Sequence, residues 1–206
     1  MVTYPGLPAP TIGDWLSREA SRSRYGPDTT FQMGKIEMLA NTGTYIDAPF
    51  HRYEGGKDVA DFSLEAVADL DGVVVRATER AGRALDVELF RRVDVRDKAV
   101  LVHTGWDAHW RSERYGTGHP FVTRAAVEHL VAAGAALVGI DSLNIDDAAD
   151  GTRPAHTLLL DAAIPIVEHL CSLGDLPDGG FRFFAVPAKV RGMGSFPVRA
   201  FAIVGS

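Results

Sequence analysis

Three stretches of this 206-residue chain collect polar side chains that no helix or strand pattern calls for. The first, Asn41-Thr-Gly-Thr-Tyr-Ile-Asp-Ala-Pro-Phe-His51, sets Asp47 and His51 four residues apart. On a helix that spacing would put both on one face, but Pro49 pushes Ala48 away from helical backbone. The pair is therefore expected at a loop or strand end, where Gly43 permits a tight backbone and Pro49 stiffens the aim of His51. A carboxylate and an imidazole suit a borderline divalent metal. Equally, Asp47 can cap a turn and His51 can be a half-buried ring. The second stretch, Gly139-Ile-Asp-Ser-Leu-Asn-Ile-Asp-Asp147, puts Asp141 at the end of an apolar strand. That is a common place for a site residue in an open sheet and as common a place for a turn residue. The third, Pro154-Ala-His156-Thr157, is followed by Glu168, which closes the apolar run 164–167. A carboxylate against such a run is expected to be partly buried. It must then be paired, hydrogen-bonded or metal-bound, or its pKa rises; a salt bridge to an arginine is the structural alternative.

The elements that position these stretches read as a mixture of strands and helices. Residues 72–77, 99–103, 136–141 and 181–190 are rich in β-branched or aromatic side chains and predict strands, with further strands over 164–167 and 198–204. The clearest helix is 124–133. Thr123 stands at its N-cap, Val127, Leu130 and Val131 form an apolar stripe, and Gly134 sits just past its end. Segments 63–70 and 86–93 predict short helices capped by Ser63 and Asp86. Strict βαβ alternation is absent, so the expectation is an α/β domain with a mixed sheet, flanking helices and long surface loops, spanning 1–206 as one unit.

Composition narrows the function. The net charge is −6, so a phosphate-backbone surface is not expected and nucleic acid is set aside as a partner. The N-terminus lacks a positive region followed by an apolar stretch, and no apolar run reaches the roughly 18–20 residues of a membrane span. A cytoplasmic protein without a membrane partner is the expectation. The single cysteine, Cys171, has no CxxC partner and reads as a buried small residue rather than a nucleophile. No G-x-S-x-G elbow, Walker A loop or G-x-G-x-x-G after a strand is present. Of the seven histidines, His109, His129 and His169 fit solvent-facing positions, while His103 and His119 sit at the ends of elements.

Together the three stretches resemble the cyclase family that includes bacterial kynurenine formamidase and isatin hydrolase. The family signature H-x-G-T-H-x-D-x-P-x-H is met here as Asn41-Thr-Gly43-Thr44-Tyr45-Ile-Asp47-Ala-Pro49-Phe-His51. Further matches run in order along the chain: Tyr4-Pro-Gly-Leu-Pro8, Thr104-Gly-Trp106, His119-Pro120, Gly139-Ile-Asp141, Pro154-Ala-His156 through Glu168, 184–189 and 197–203. The resemblance implies a compact swivelling β/β/α cyclase-type fold, commonly a homodimer or homotetramer. It also implies hydrolysis of a cyclic or acyclic amide with zinc or manganese, Asp47, His156 and Glu168 as ligands, and His51 as acid or base. The chain departs from the signature at Asn41 and Tyr45, which replace both histidines of the first metal. An amide is a weak ligand, and a phenol, with an ordinary pKa of about 10, binds zinc poorly.

The leading expectation is a single divalent ion, zinc or manganese, in an open three-ligand site that hydrolyses a small amide, lactam, ester or lactone. A second is a cyclase, dehydratase or isomerase using Tyr45 and His51 as acid and base, with or without metal. A third is a non-catalytic family member that binds a small molecule. The aromatic residues Trp15, Tyr25 and Phe31 are candidate pocket walls for a flat substrate.

Overall fold

The computed structural model describes residue 4 and residues 6–205; Pro5 of the Tyr4–Pro8 match and the first three residues lie outside them. The strands are β1 (Thr11–Leu16), β2 (Met33–Glu37), β3 (Tyr45–Asp47), β4 (Leu70–Arg76), β5 (Ala84–Leu85), β6 (Ala99–His103), β7 (Phe121–Val122), β8 (Leu137–Ile140), β9 (Ile166–Glu168), β10 (Gly179–Phe184), β11 (Ser195–Pro197) and β12 (Phe201–Val204). The α-helices are α1 (Arg18–Ser21), α2 (Arg124–Ala133) and α3 (Pro154–Asp161). Eight strands form one mixed sheet in the order β11-β3-β9-β8-β6-β4-β10-β12. Its centre, β4-β6-β8-β9, is parallel, and both flanks are antiparallel. This is the α/β class with a mixed sheet and few helices.

The parallel centre is where the apolar runs fall, because a strand covered on both faces needs apolar residues at every position. Period-two alternation divides them. Val100, Val102, Val138, Ile140 and Ile166 pack with Leu130 of α2 and Leu159 of α3 on one face. Ala99, Leu101, Leu137 and Val167 pack with Ile46, Phe181 and Phe183 on the other.

Helix α2 follows the expectation residue for residue. Thr123 accepts from Ala126 N–H, and Gly134 adopts the left-handed conformation (φ 80°) that favours glycine. Elsewhere the boundaries differ. Asp86 caps the 3₁₀ turn Val87–Leu89, and Ser63 precedes Leu64–Ala66 without a side-chain cap, so both expected helices are single turns. The strand expected over 181–190 stops at Phe184, and the one over 198–204 begins only at Phe201. Helix α3 was not anticipated, although Pro154 occupies the first helical turn, where its missing N–H costs nothing.

Strands β1 and β2 form a separate two-stranded ribbon. Trp15 on it is 79% exposed, and Tyr25 and Phe31, which meet edge-on at 4.9 Å, are exposed as well. None of the three lines the cavity described below, so the expected aromatic walls are not there.

Candidate metal and catalytic site

The register of three neighbouring strands builds the site. Tyr45 lies opposite Glu168, and Asp47 lies opposite Ile166 on one side and Ser195 on the other. Because side chains alternate, Tyr45, Asp47, Glu168 and Ser195 share a face while Ile46 and Val167 point into the opposite core. A slip of one residue would exchange the two sets. The shared face is the one covered by α3, which brings in His156. A 3₁₀ turn, Pro49–His51, follows β3 directly and brings in His51. Gly194 presses that turn from outside: a Cβ there would lie 2.5 Å from His51 Cα, and its carbonyl accepts from Ala48 N–H at 2.7 Å.

One ligand atom from each of Asp47, His51 and His156 falls within a 4.8 Å group. Glu168 Oε1 and Asp47 Oδ2 each stand 3.7 Å from His156 Nε2. The site opens into a cavity of about 410 Å³ whose walls include Tyr4, Asn41, Tyr45, His51, Arg52 and His156. That volume is in the range of small-molecule pockets. The structure thus brings together Asp47, His51, His156, Glu168 and Tyr45. Asp141 lies elsewhere: it is wholly buried and accepts from the N–H groups of Thr104 and Gly105 and from Thr104 Oγ1, holding the turn after β6.

Sequence reasoning missed Asp146. Its carboxylate is buried and accepts from the N–H groups of Ala155 (2.6 Å) and His156 (3.1 Å) and from His156 Nδ1 (2.7 Å). It therefore caps the start of α3 and fixes the imidazole, leaving Nε2 aimed at Asp47 and Glu168. A carboxylate on the far nitrogen is the usual way to orient and strengthen a histidine ligand. His119 Nε2 donates in turn to the Asp146 carbonyl at 3.0 Å. The only sequence signal was the acidic pair Asp146-Asp147 within the second stretch.

Ser195 was also missed. Its hydroxyl donates to Asp47 Oδ1, and it lies 3.2 Å from Asn41 Nδ2 and 3.0 Å from His51 Nδ1. A hydroxyl has one proton and two lone pairs, so both nitrogens donate to it. His51 is thereby held through Nδ1, with its ring in the cavity wall. Asn41 serves as a hydrogen-bond donor at a position where the signature has a ligand.

Tyr45, at the other departure, donates to Glu168 Oε2. Tyr4 lies 2.5 Å from the Tyr45 hydroxyl, His169 Nε2 lies 3.2 Å from Tyr4, and Tyr115 lies 2.7 Å from His169 Nδ1. The Tyr4 hydroxyl also reaches the Leu143 carbonyl at 3.2 Å and Glu168 Oε2 at 3.4 Å, so Tyr115, His169, Tyr4, Tyr45 and Glu168 form one connected hydrogen-bond network. Burial and the nearby Glu168 carboxylate raise the pKa of both Tyr4 and Tyr45, so these phenols stay protonated as donors. His169, expected at the surface, is 5% exposed, and burial pushes its pKa down to about 3. Cys171, expected to be buried, is exposed.

Electrostatics single out the cluster. Asp47, Asp146 and Glu168 are all wholly buried, and among the described residues their ion-pair partners are histidines alone. No arginine answers Glu168. Burial pushes the Glu168 carboxyl up to about 7 against the pull of His156. Burial would lower His156, but Asp146, Asp47 and Glu168 override it and raise it to about 10. Asp47 Oδ2 is buried with no hydrogen-bond donor, a costly arrangement for a carboxylate oxygen. A divalent cation would answer both the excess negative charge and the orphaned oxygen, so the residues present fit one.

The comparisons agree with this geometry. The family model described as "Putative cyclase" matches residues 4–147. The chain belongs to the cyclase family. A kynurenine formamidase from Maricaulis maris is 29% identical over 183 residues, covering 85% of this chain and 82% of that one. The structure of isatin hydrolase A from Labrenzia aggregata bound to benzyl benzoate superposes with a TM-score of 0.81. It covers 99% of this chain and 88% of its own at 24% identity, a likeness of fold. A structure described as a potential metal-dependent hydrolase with cyclase activity is 26% identical, with a TM-score of 0.73, and covers 93% of this chain and 96% of its own. The cyclase fold is thus established for this chain. No described helix is long and apolar enough to cross a membrane.

Proposed function

We propose that this cyclase-family enzyme is a hydrolase of a small amide, lactam, ester or lactone that works with one divalent ion, zinc or manganese. The observation that carries the reading is the buried, donor-less Oδ2 of Asp47 facing His156 Nε2, beside two further buried carboxylates that, among the described residues, pair with no arginine or lysine. Asp47, His156 and Glu168 would hold the ion. When bound, it supplies a Lewis acid for the substrate carbonyl and lowers the pKa of a water toward about 7.

The chain's own groups do the rest. Asp146 keeps His156 aimed through Nδ1. Ser195 holds His51 through Nδ1 in the cavity wall, where an imidazole can take a proton from water and return it to the leaving group near neutral pH. Tyr45 and Ile145 N–H keep Glu168 in place by donating to separate oxygens. Kynurenine formamidase among the relatives and isatin hydrolase among the fold neighbours favour an aryl formamide or a lactam as substrate. Enzymes of this kind work on free small molecules, and a homodimer or homotetramer in the cytoplasm remains the proposed setting.

Elemental analysis of protein purified without added metal, combined with hydrolysis assays on a formylated kynurenine and on isatin, tests the reading. About one equivalent of metal and turnover abolished by chelation are expected. Full turnover in extensively chelated protein overturns it.

A further inference from the structure

Across the Tyr4–His169 contact lies a second cavity, of about 280 Å³, that the hydrolytic site does not use. Its walls include Trp110, Tyr115, His169 and Leu170, together with Thr44, Asp107 and Cys171. The aromatic walls brace one another edge to face: Trp110 meets Tyr115 at 5.0 Å and 89°, and His169 at 6.1 Å and 64°. Tyr115 and His169 are hydrogen-bonded to each other at 2.7 Å, which holds both rings in place as walls. The cavity's carboxylate is that of Asp107, whose Oδ2 accepts from Ser172 N–H at 3.0 Å. A carboxylate has about four acceptor positions, so capacity for another donor remains.

We propose that this cavity is a second small-molecule site, which takes one flat aromatic ring bearing an N–H donor, of the indole or aryl-amine class. The volume, just under the roughly 300 Å³ at which drug-sized pockets begin, holds one such ring system and little more. Rings pack against aromatic walls in offset or edge-on geometry, and three such walls converge here. Asp107 selects a donor and disfavours an aromatic acid. Occupancy would be felt at Glu168, because Tyr115, His169, Tyr4 and Tyr45 connect the cavity to that carboxylate through hydrogen bonds.

Indole is the probe, and Cys171, exposed at the cavity and the chain's only cysteine, is the reporter. Indole is expected to bind saturably at about one per chain and to slow alkylation of Cys171 by iodoacetamide, read by intact mass. Indene, the same shape without the N–H, should bind at least about fivefold more weakly. Trp110→Ala should weaken indole by up to about tenfold, and Trp110→Phe, which keeps a ring, should recover most of it. Absence of saturable binding overturns the site. So does binding that leaves Cys171 unprotected or that Trp110→Ala and Trp110→Phe both leave unchanged, since indole is then elsewhere. Equal affinity for indole and indene overturns the role given to Asp107.

Discussion

His156 and His169 are nearly equally buried, at 7% and 5% exposure, and their surroundings push them in opposite directions. His156 faces Asp47, Asp146 and Glu168 and is raised to about 10. His169 sits among Tyr4, Tyr115 and Trp110 and is pushed down to about 3. Burial depresses both, and the difference lies in the neighbours. Desolvation disfavours a charge everywhere, and only close carboxylates reverse it. The acidic region favours a positive charge, whether a proton or a metal cation. Around His169 the neighbours are phenol and indole rings, and its hydrogen bonds go to Tyr4 and Tyr115. Tyr45 lies on the border, since its hydroxyl belongs to the aromatic chain and its proton goes to Glu168.

The contrast can be broken most sharply at Asp47. Asp47→Ala is expected to lower metal content from about one equivalent to near zero and activity by more than about 100-fold, read by elemental analysis and kcat/KM. Asp146→Asn should weaken metal binding by about 10–100-fold, measured by calorimetry on metal-stripped protein, while circular dichroism remains native. Tyr45→Phe removes a donor from a buried carboxylate. A stability loss of about 1–3 kcal/mol is expected in urea denaturation, with a modest change in hydrolysis. Abolished turnover with metal content retained would instead favour acid–base chemistry by Tyr45 and His51.

His119 offers a smaller, pH-dependent test. Burial lowers its pKa below the ordinary 6.5, so the folded protein holds fewer protons than the unfolded chain. Its contribution to stability is present above about 6.5 and declines as pH falls from there. In His119→Asn that part of the pH dependence, at most about 1.4 kcal/mol per pH unit, should vanish from urea melts between pH 7 and 5. The smallest effect is expected far from both regions. Gly134→Ala places a Cβ on a left-handed residue at the end of α2 and should cost about 1 kcal/mol with metal binding unchanged.

Legibility followed locality. Helix α2 and strand β6 were readable because the cap and apolar stripe of the one and the β-branched run of the other lie within one segment. The strand-end setting of Asp47 and His51 was readable from Pro49 alone. Asp146, Ser195 and His169 were not. Asp146 acts on a helix that begins eight residues later, Ser195 acts across a strand pair, and His169 is surrounded by rings from Tyr4, Tyr45 and the stretch holding Trp110 and Tyr115. Their side chains carry no local pattern, because the groups they satisfy arrive from elsewhere in the chain.

By itself, the order of residues determined the class of fold, the order of the motifs and the supply of ligand types, since periodicity and backbone restriction act over a few neighbours. Only the tertiary structure decided which groups are charged, which are satisfied and where a cation fits. Those depend on desolvation and on distances of a few ångströms between residues more than a hundred positions apart, such as Asp47 and His156.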